Sequence, residues 1–221
     1  GWFGIQTWIG GDALYHILKA WNPSLADVDT QSLFPQALPM ICFFAFWFLN
    51  MYIVYLGVES IRKLLVFKAI FLPLAALALL AWAITAAKGL GPILEQPSKL
   101  HGNDFWKYFF PALTGMVGFW ATLSLNIPDF TRYAKNQKAQ INGQIIGLPP
   151  SMTLFAFIGV VVTSATAIIY GQSEWDIVKL AGRFDSKLMV IIAMVGIIIS
   201  TLATNIAANI VSPANDFAHL A

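Results

Sequence analysis

The chain consists of long apolar stretches separated by short polar ones. A helix needs about 20 residues to cross a bilayer, and stretches of roughly this length or more recur along the sequence. We predict membrane spans at residues 1–17, 37–56, 64–87, 108–126, 141–170 and 186–211. The strands of a transmembrane barrel would alternate between apolar and polar residues over short segments, and no such segments are present. The pattern predicts an all-α membrane protein with a single transmembrane domain.

Composition agrees with this class. Hydrophobic residues make up 58% of the chain and charged residues 11%, whereas soluble proteins have about 25% charged residues. A net charge of +2 is too small, and the basic residues too dispersed, to favour nucleic-acid binding. The lone Cys42 excludes an internal disulfide and a cysteine metal cluster. The predicted location is the cell membrane, with the lipid bilayer as the surroundings and no obligate protein partner.

The two ends of the chain do not look like protein termini. The sequence begins at Gly1 without an initiator methionine or a signal peptide, and its last residues resemble the start of another element. We therefore expect this chain to be a fragment of a longer protein.

Residues 115–133 form an unusual apolar stretch that contains two glycines and ends in polar and charged residues. Each glycine weakens a helix by about 1 kcal/mol relative to alanine. An interrupted backbone is tolerated in a membrane only where protein or a watery cavity satisfies it. We predict a broken transmembrane helix that lines a binding cavity. The alternative is a continuous helix in which Gly115 and Gly118 allow close packing.

The last apolar stretch carries polar side chains on one helix face. Residues four apart form two adjacent ridges, Ser200-Thr204-Ala208 and Thr201-Asn205-Asn209. Amides facing lipid would cost several kcal/mol, so this stripe must face protein, water or a ligand. For Thr201 and Asn205 we favour hydrogen bonds between helices. Asn209 carries donors and an acceptor that suit the amide edge of a ligand.

The first apolar stretch places Trp2 and Gln6 four residues apart on one helix face. Trp2 offers a flat stacking surface and Gln6 offers an amide. The more common role of a Trp at such a position is to anchor the helix at the membrane interface, and that of a buried Gln is to hydrogen-bond a neighbouring helix. Asp12 lies about 120° around the helix from Gln6. We expect Asp12 near the outer end of the span, salt-bridged or solvated, and the same for His16.

Catalytic motifs are absent from the sequence. It contains no H-E-x-x-H, no G-x-S-x-G and no phosphate-binding loop motif. Its 3 histidines are scattered and show no metal-binding spacing. We expect neither enzymatic activity nor a cofactor.

Three motifs together resemble the nucleobase-cation-symport-1 family. They are WFGIQTWIGG at residues 2–11, GFW at 118–120 followed by NIPDFTRY at 126–133, and ATNIAAN at 203–209. They occur in the family's order and spacing, and the resemblance covers essentially the whole chain. It is closer to the hydantoin, allantoin and uracil transporters than to the cytosine permeases.

The resemblance implies a twelve-helix transporter whose first ten helices form two inverted five-helix repeats, each beginning with a broken helix. This chain would cover the third to the eighth helix, so the stretch at 115–133 would be the broken sixth helix. Discontinuous helices at a repeat interface near the midplane are where such transporters bind substrate and ion.

The resemblance also assigns substrate-binding residues. Trp2 and Trp120 match two indoles that sandwich a planar ring, Gln6 and Asn209 match two amides that hydrogen-bond it, and Gly118 belongs to the same site. Aromatic faces above and below with amides at the edge suit a neutral planar heterocycle.

A family sodium site would fall partly on Ser200, Ala203 and Thr204, together with a helix that this sequence lacks. Position 203 is a serine in the sodium-coupled hydantoin transporter and an alanine here, so one hydroxyl oxygen is lost to a cation that prefers oxygen ligands. Ser200 or Thr201 could compensate. Any sodium site in this chain is incomplete, and the coupling ion is sodium or a proton.

The predicted function is a secondary active symporter that imports a nucleobase or related cyclic ureide of the uracil, allantoin or hydantoin type with a cation. One alternative is a cytosine or purine permease of the same family. A second is a passive channel. A third is a structural membrane fragment without transport activity, in which the polar stripe only joins helices.

Overall fold

The computed structural model describes residues 1–25, 37–121 and 123–220, with residues 119–121, 123–125 and 219 described by their backbone alone. Within these ranges all regular secondary structure is helical, which confirms the predicted all-α class. The helices are α1 (Trp2–Trp21), α2 (Ala37–Tyr55), α3 (Val58–Ala86), α4 (Leu90–Leu94), α5 (Gly102–Ala121), α6 (Leu123–Thr131), α7 (Gln137–Tyr170), α8 (Ile177–Gly182), α9 (Lys187–Asn209) and α10 (Val211–Leu220).

In the described part of the chain, 4 helical segments are long and apolar enough to cross a membrane. They are α2, α3, α7 and the segment Lys187–Ala218, which combines α9 with most of α10. Helices α1 and α5 overlap the other two predicted spans, 1–17 and 108–126, and each has 20 residues. Each of these two helices carries one acidic residue and one lysine.

The glycine pair in α5 does not break the helix. We expected a broken helix within residues 115–133; α5 continues through Gly115 and Gly118 to Ala121, and α6 begins at Leu123. Thr122 lies outside the described residues. The predicted break within residues 115–133 stays a prediction, and α5 itself accommodates both glycines because a cost of about 1 kcal/mol per glycine is small for a helix of 20 residues.

The described residues divide into two compact units, and the first contains Gly1–Leu79 and Ser173–Phe217. In this unit α1 packs extensively against α9 and α2. Two apolar clusters hold these helices together. One consists of Ala13, Val178, Ala181, Val190 and Met194, and the other is centred on Phe46, Leu202 and Ile206.

Close approach of α1 and α2 depends on two glycines. A Cβ atom on Gly10 would overlap the ring of Phe46, and one on Gly11 would lie 2.7 Å from the Cα atom of Phe43. The ring of Phe46 is fully buried. Small residues let membrane helices approach closely enough for dispersion contacts and hydrogen bonds to form between them. The Gly10-Gly11 pair therefore sets the distance between these helices.

The second unit contains Leu80–Gln172 and Ala218–Ala221. Within it, the Gln96 side chain at the end of α4 donates from Nε2 to the carbonyl of Ser164 on α7 at 3.0 Å. Helix α7 begins where the Asn136 side chain accepts a hydrogen bond from the Ala139 backbone at 2.8 Å. It ends at Gly171, whose φ of 75° would be strained in most other residues.

We predict that Gly11→Ala lowers the free energy of unfolding of the full-length protein by about 1–3 kcal/mol, because the added methyl group would press on backbone atoms that cannot move aside. Gly4→Ala is the matched control, since a Cβ atom there would meet no atom within 4 Å. Thermal unfolding of the detergent-purified variants measures both effects. Equal unfolding midpoints for the two variants would contradict the close approach of α1 and α2.

Candidate functional site

Two of the predicted substrate-binding residues lie on the first turns of α1. The Trp2 side chain is 48% exposed, and Gln6 is partly buried. No described residue hydrogen-bonds the Gln6 carboxamide, so its donors and its acceptor are available to a ligand. Their sequence neighbours Phe3 and Thr7 make contacts with α9.

Asn205, in the polar stripe of α9, is fully buried and joins three helices. Its Nδ2 atom donates to Asn50 Oδ1 on α2 at 3.2 Å and to Thr7 Oγ1 on α1 at 3.3 Å. A longer contact of 3.5 Å reaches the Phe3 carbonyl. The interpretation of Asn205 as a residue that bonds helices together is confirmed.

Backbone carbonyls fix the orientation of this network because a carbonyl can only accept hydrogen bonds. Asn50 Nδ2 donates to the Phe46 carbonyl at 2.8 Å, so Asn50 presents its oxygen to Asn205. The Thr7 hydroxyl donates to the Phe3 carbonyl at 2.7 Å, so its oxygen is left to accept. The Asn50 and Thr7 oxygens therefore both accept from Asn205 Nδ2. Because the nitrogen of the Asn205 carboxamide faces these two residues, its oxygen faces away from them.

The oxygen of the Asn205 side chain orients the Asn209 carboxamide through a hydrogen bond. Asn209 Nδ2 donates to Asn205 Oδ1 at 2.9 Å. One N–H of Asn209 is thereby used, and its second N–H and its Oδ1 atom have no partner among the described residues. Asn209 therefore keeps one acceptor and one donor, which suit a ligand that carries N–H and C=O groups.

The structure brings Trp2, Gln6 and Asn209 into the same unit. The contacts of Asn205 with Phe3 and Thr7 place the end of α9 that carries Asn209 along the turn of α1 that carries Trp2 and Gln6. Their roles toward a substrate stay a prediction.

The other two predicted substrate residues belong to α5, in the second unit. A Cβ atom on Gly118 would meet no atom within 4 Å. The side chain of Trp120 lies outside the described residues, so its stacking role stays a prediction.

The three predicted cation-binding residues also lie on α9. Ala203 is buried and has no hydroxyl group. The Thr204 hydroxyl donates to the Ser200 carbonyl at 2.8 Å and accepts a hydrogen bond from Lys68 Nζ on α3. This set does not fit a sodium ion, because the threonine oxygen already faces an ammonium group and a hard cation needs several free oxygen ligands.

Lys68 was missed in the sequence analysis, although a signal for it was present. It is a lone charge within the apolar stretch predicted at 64–87, and an ionisable residue inside a membrane span indicates a functional role by default. The partner of Lys68 lies 136 residues away in the sequence, which the local pattern does not reveal.

Asp12 is paired with His16, as expected. The Nδ1 atom of His16 lies 3.4 Å from the Asp12 carboxylate and 2.9 Å from the Asp12 carbonyl. Within the described ranges no cluster of His, Cys, Asp and Glu could hold a metal ion. These two residues therefore form a local pair on α1.

The fold and the site together define a multi-pass helical membrane protein with a buried amide network leading to half-exposed aromatic and amide groups. The model of the family of permeases for cytosine/purines, uracil, thiamine and allantoin matches residues 1–221. The chain belongs to this family, and the resemblance to the nucleobase-cation-symport-1 transporters is confirmed.

Known relatives are permeases from plants, bacteria and fungi. The purine-uracil permease NCS1 of Arabidopsis thaliana is 45% identical over 221 residues, which cover 100% of this chain and 37% of that protein. An allantoin permease of Bacillus subtilis is 39% identical over 99% of this chain and 45% of that protein. A uracil permease of Saccharomyces cerevisiae is 28% identical over 97% of this chain and 36% of that protein. This chain thus spans less than half the length of these relatives. No solved structure matches it at a significant level.

We predict that Asn205→Ala lowers the free energy of unfolding by about 1–3 kcal/mol, because it leaves Asn50 Oδ1 and Asn209 Nδ2 without partners. Thr85→Ala is the control. The Thr85 hydroxyl is exposed and bonds only carbonyls of its own helix, at 2.9 Å, so its loss should change stability by less than about 0.5 kcal/mol. Thermal unfolding of the purified full-length variants checks this. If Asn205→Ala left the unfolding midpoint unchanged, the network would not be what holds the three helices together.

Proposed function

We propose that this chain forms the central part of a secondary active symporter that imports a nucleobase or a related cyclic ureide together with a cation. The observation that carries this proposal is the orientation of Asn209, whose acceptor and second donor are free next to α1. The names of the relatives, which include purine, uracil and allantoin permeases, support the substrate class.

The chemistry of such substrates suits these groups. Uracil, allantoin and hydantoin are small rings with N–H and C=O groups alternating along an edge. Asn209 Oδ1 accepts from a ring N–H while its free N–H donates to the adjacent carbonyl, and the Gln6 amide binds a second edge in the same way. The half-exposed indole of Trp2 stacks on the ring face. Trp120 and Gly118 stay part of this proposal as further substrate residues.

Import proceeds by alternating access. Closure around the substrate is the step that couples it to the cation, whose gradient drives accumulation. The protein is not an enzyme in this proposal, since it moves its substrate without changing a covalent bond. Its partners in this proposal are the small-molecule substrate and the lipid bilayer, with no obligate protein partner.

A purine is the second candidate substrate. It is favoured by the relative from Arabidopsis thaliana, which is 45% identical and named for both purine and uracil. A purine also offers adjacent donors and acceptors on a flat ring, so it meets the same amide and aromatic groups.

Competition for uptake tests the substrate class. Cells that express the full-length protein are expected to accumulate radiolabelled uracil, allantoin or hydantoin above the external concentration, with mutual competition. Methylation of a ring nitrogen should weaken competition about 10- to 100-fold, because it removes a donor that the Asn209 oxygen accepts from. Confirmed expression with no uptake or competition by these compounds or purines would reject the proposal. Flux without accumulation would indicate a channel.

We predict that Asn209→Ala lowers substrate affinity at least about 10-fold while leaving membrane insertion intact, because it deletes edge contacts that an apolar pocket cannot replace. Asn103→Ala is a matched control, since Asn103 is an exposed asparagine at the start of α5. Substrate-dependent quenching of tryptophan fluorescence in the purified proteins measures affinity. Wild-type affinity in the Asn209 variant would remove this residue from the site.

A further inference from the structure

Lys68 places a positive charge within an apolar helix. Helix α3 is among the segments able to cross a membrane, and the Lys68 side chain is partly buried between it and α9. A charged group at such a position is costly unless it is paired or solvated. Within the described ranges, no carboxylate forms an ion pair with Lys68. Its one hydrogen-bond partner there is the Thr204 hydroxyl.

The Thr204 hydroxyl is oriented to receive this ammonium group. It donates its own proton to the Ser200 carbonyl at 2.8 Å, so its oxygen is left to accept a hydrogen bond. Lys68 Nζ donates to that oxygen. An ammonium group has three donors and no acceptor, so oxygen atoms attract it in the same way that they attract a metal cation.

The same oxygen belongs to the set in which a sodium ion was expected. That set was Ser200, Ala203 and Thr204, and Ala203 contributes no side-chain oxygen. With the Thr204 oxygen bound to Lys68, a sodium ion would lose another ligand and would also meet a like charge. Both effects oppose sodium binding.

We propose that the Lys68 ammonium group is a fixed cation that occupies the place of sodium on α9, so that this protein neither binds sodium there nor requires it. The proposal deepens the proposed function by naming the residue that decides cation specificity. It rests on that function only for the consequence in transport, since the binding claim concerns Lys68 and Thr204 alone.

The position of Thr204 connects this fixed charge to the substrate residues. Thr204 directly precedes Asn205, whose carboxamide orients Asn209. The side chain of Lys68 thus connects α3 with α9 within the chain itself.

The first test measures sodium binding without any substrate. Thermal unfolding of the purified full-length protein is recorded in sodium chloride and in choline chloride at equal ionic strength. We expect the two unfolding midpoints to agree within about 1 °C, since an ion that does not bind the native state does not stabilise it. A higher midpoint in sodium would overturn the proposal.

The second test removes the fixed charge and restores a hydroxyl. In the double variant Lys68→Ala/Ala203→Ser, sodium should raise the midpoint by at least about 2 °C over choline. The matched control is Lys63→Ala/Ala203→Ser, which keeps Lys68 and removes an exposed lysine paired with Glu59 at 3.8 Å. The control should not respond to sodium. A folded Lys68 variant that ignores sodium, or a control that responds to it, would overturn the proposal.

A third variant keeps the test possible if removal of the Lys68 side chain prevents folding. If the alanine variant does not fold, Lys68→Met/Ala203→Ser keeps an unbranched apolar side chain at this position and is tested in its place. The midpoints require no substrate, so an absence of nucleobase uptake would reject the proposed function and leave this inference standing. Where uptake is observed, replacing external sodium with choline should change its rate less than about twofold.

Discussion

The packing of α1, α2 and α9 depends on one buried carboxamide, that of Asn205. In the interior of a membrane protein a polar group finds no water, so each donor and acceptor must be satisfied by the protein. The Asn205 side chain is fully buried and meets this requirement through Asn50 and Thr7, on two different helices. A shift of any of the three helices along its axis would break at least one of these bonds.

Close packing makes that network possible. The Gly10-Gly11 pair lets α2 lie directly against α1, with the ring of Phe46 filling the space above Gly10. The carbonyl of Phe46 then holds the Asn50 amide, which brings the Asn50 oxygen to Asn205. The apolar contact and the polar network are therefore parts of one arrangement, because the glycines determine whether the amides are within reach.

Local patterns predicted the helices and the polar face of α9, because hydrophobic length and a spacing of four residues are properties of one segment. They did not predict the partners. The bond between Asn205 and Asn50 joins residues 155 positions apart, and the bond between Lys68 and Thr204 joins residues 136 apart. The weak helix propensity of Gly115 and Gly118 did not end the helix at either residue, since α5 continues through both. The sequence analysis assigned Asn205 to helix contacts and Asn209 to a ligand, yet the two side chains form one network.

The arrangement on α9 has a consequence for binding. Thr204 is held by α3 through Lys68, and the next residue, Asn205, is held by α1 and α2. Asn209 lies one helical turn further on, and its amide is already oriented by Asn205. A ligand that binds Asn209 therefore meets a side chain whose freedom is already restricted, which lowers the entropic cost of binding. Because α9 is bonded to α1, α2 and α3, a movement of α9 that kept these bonds would have to carry the bonded parts of the other three helices with it.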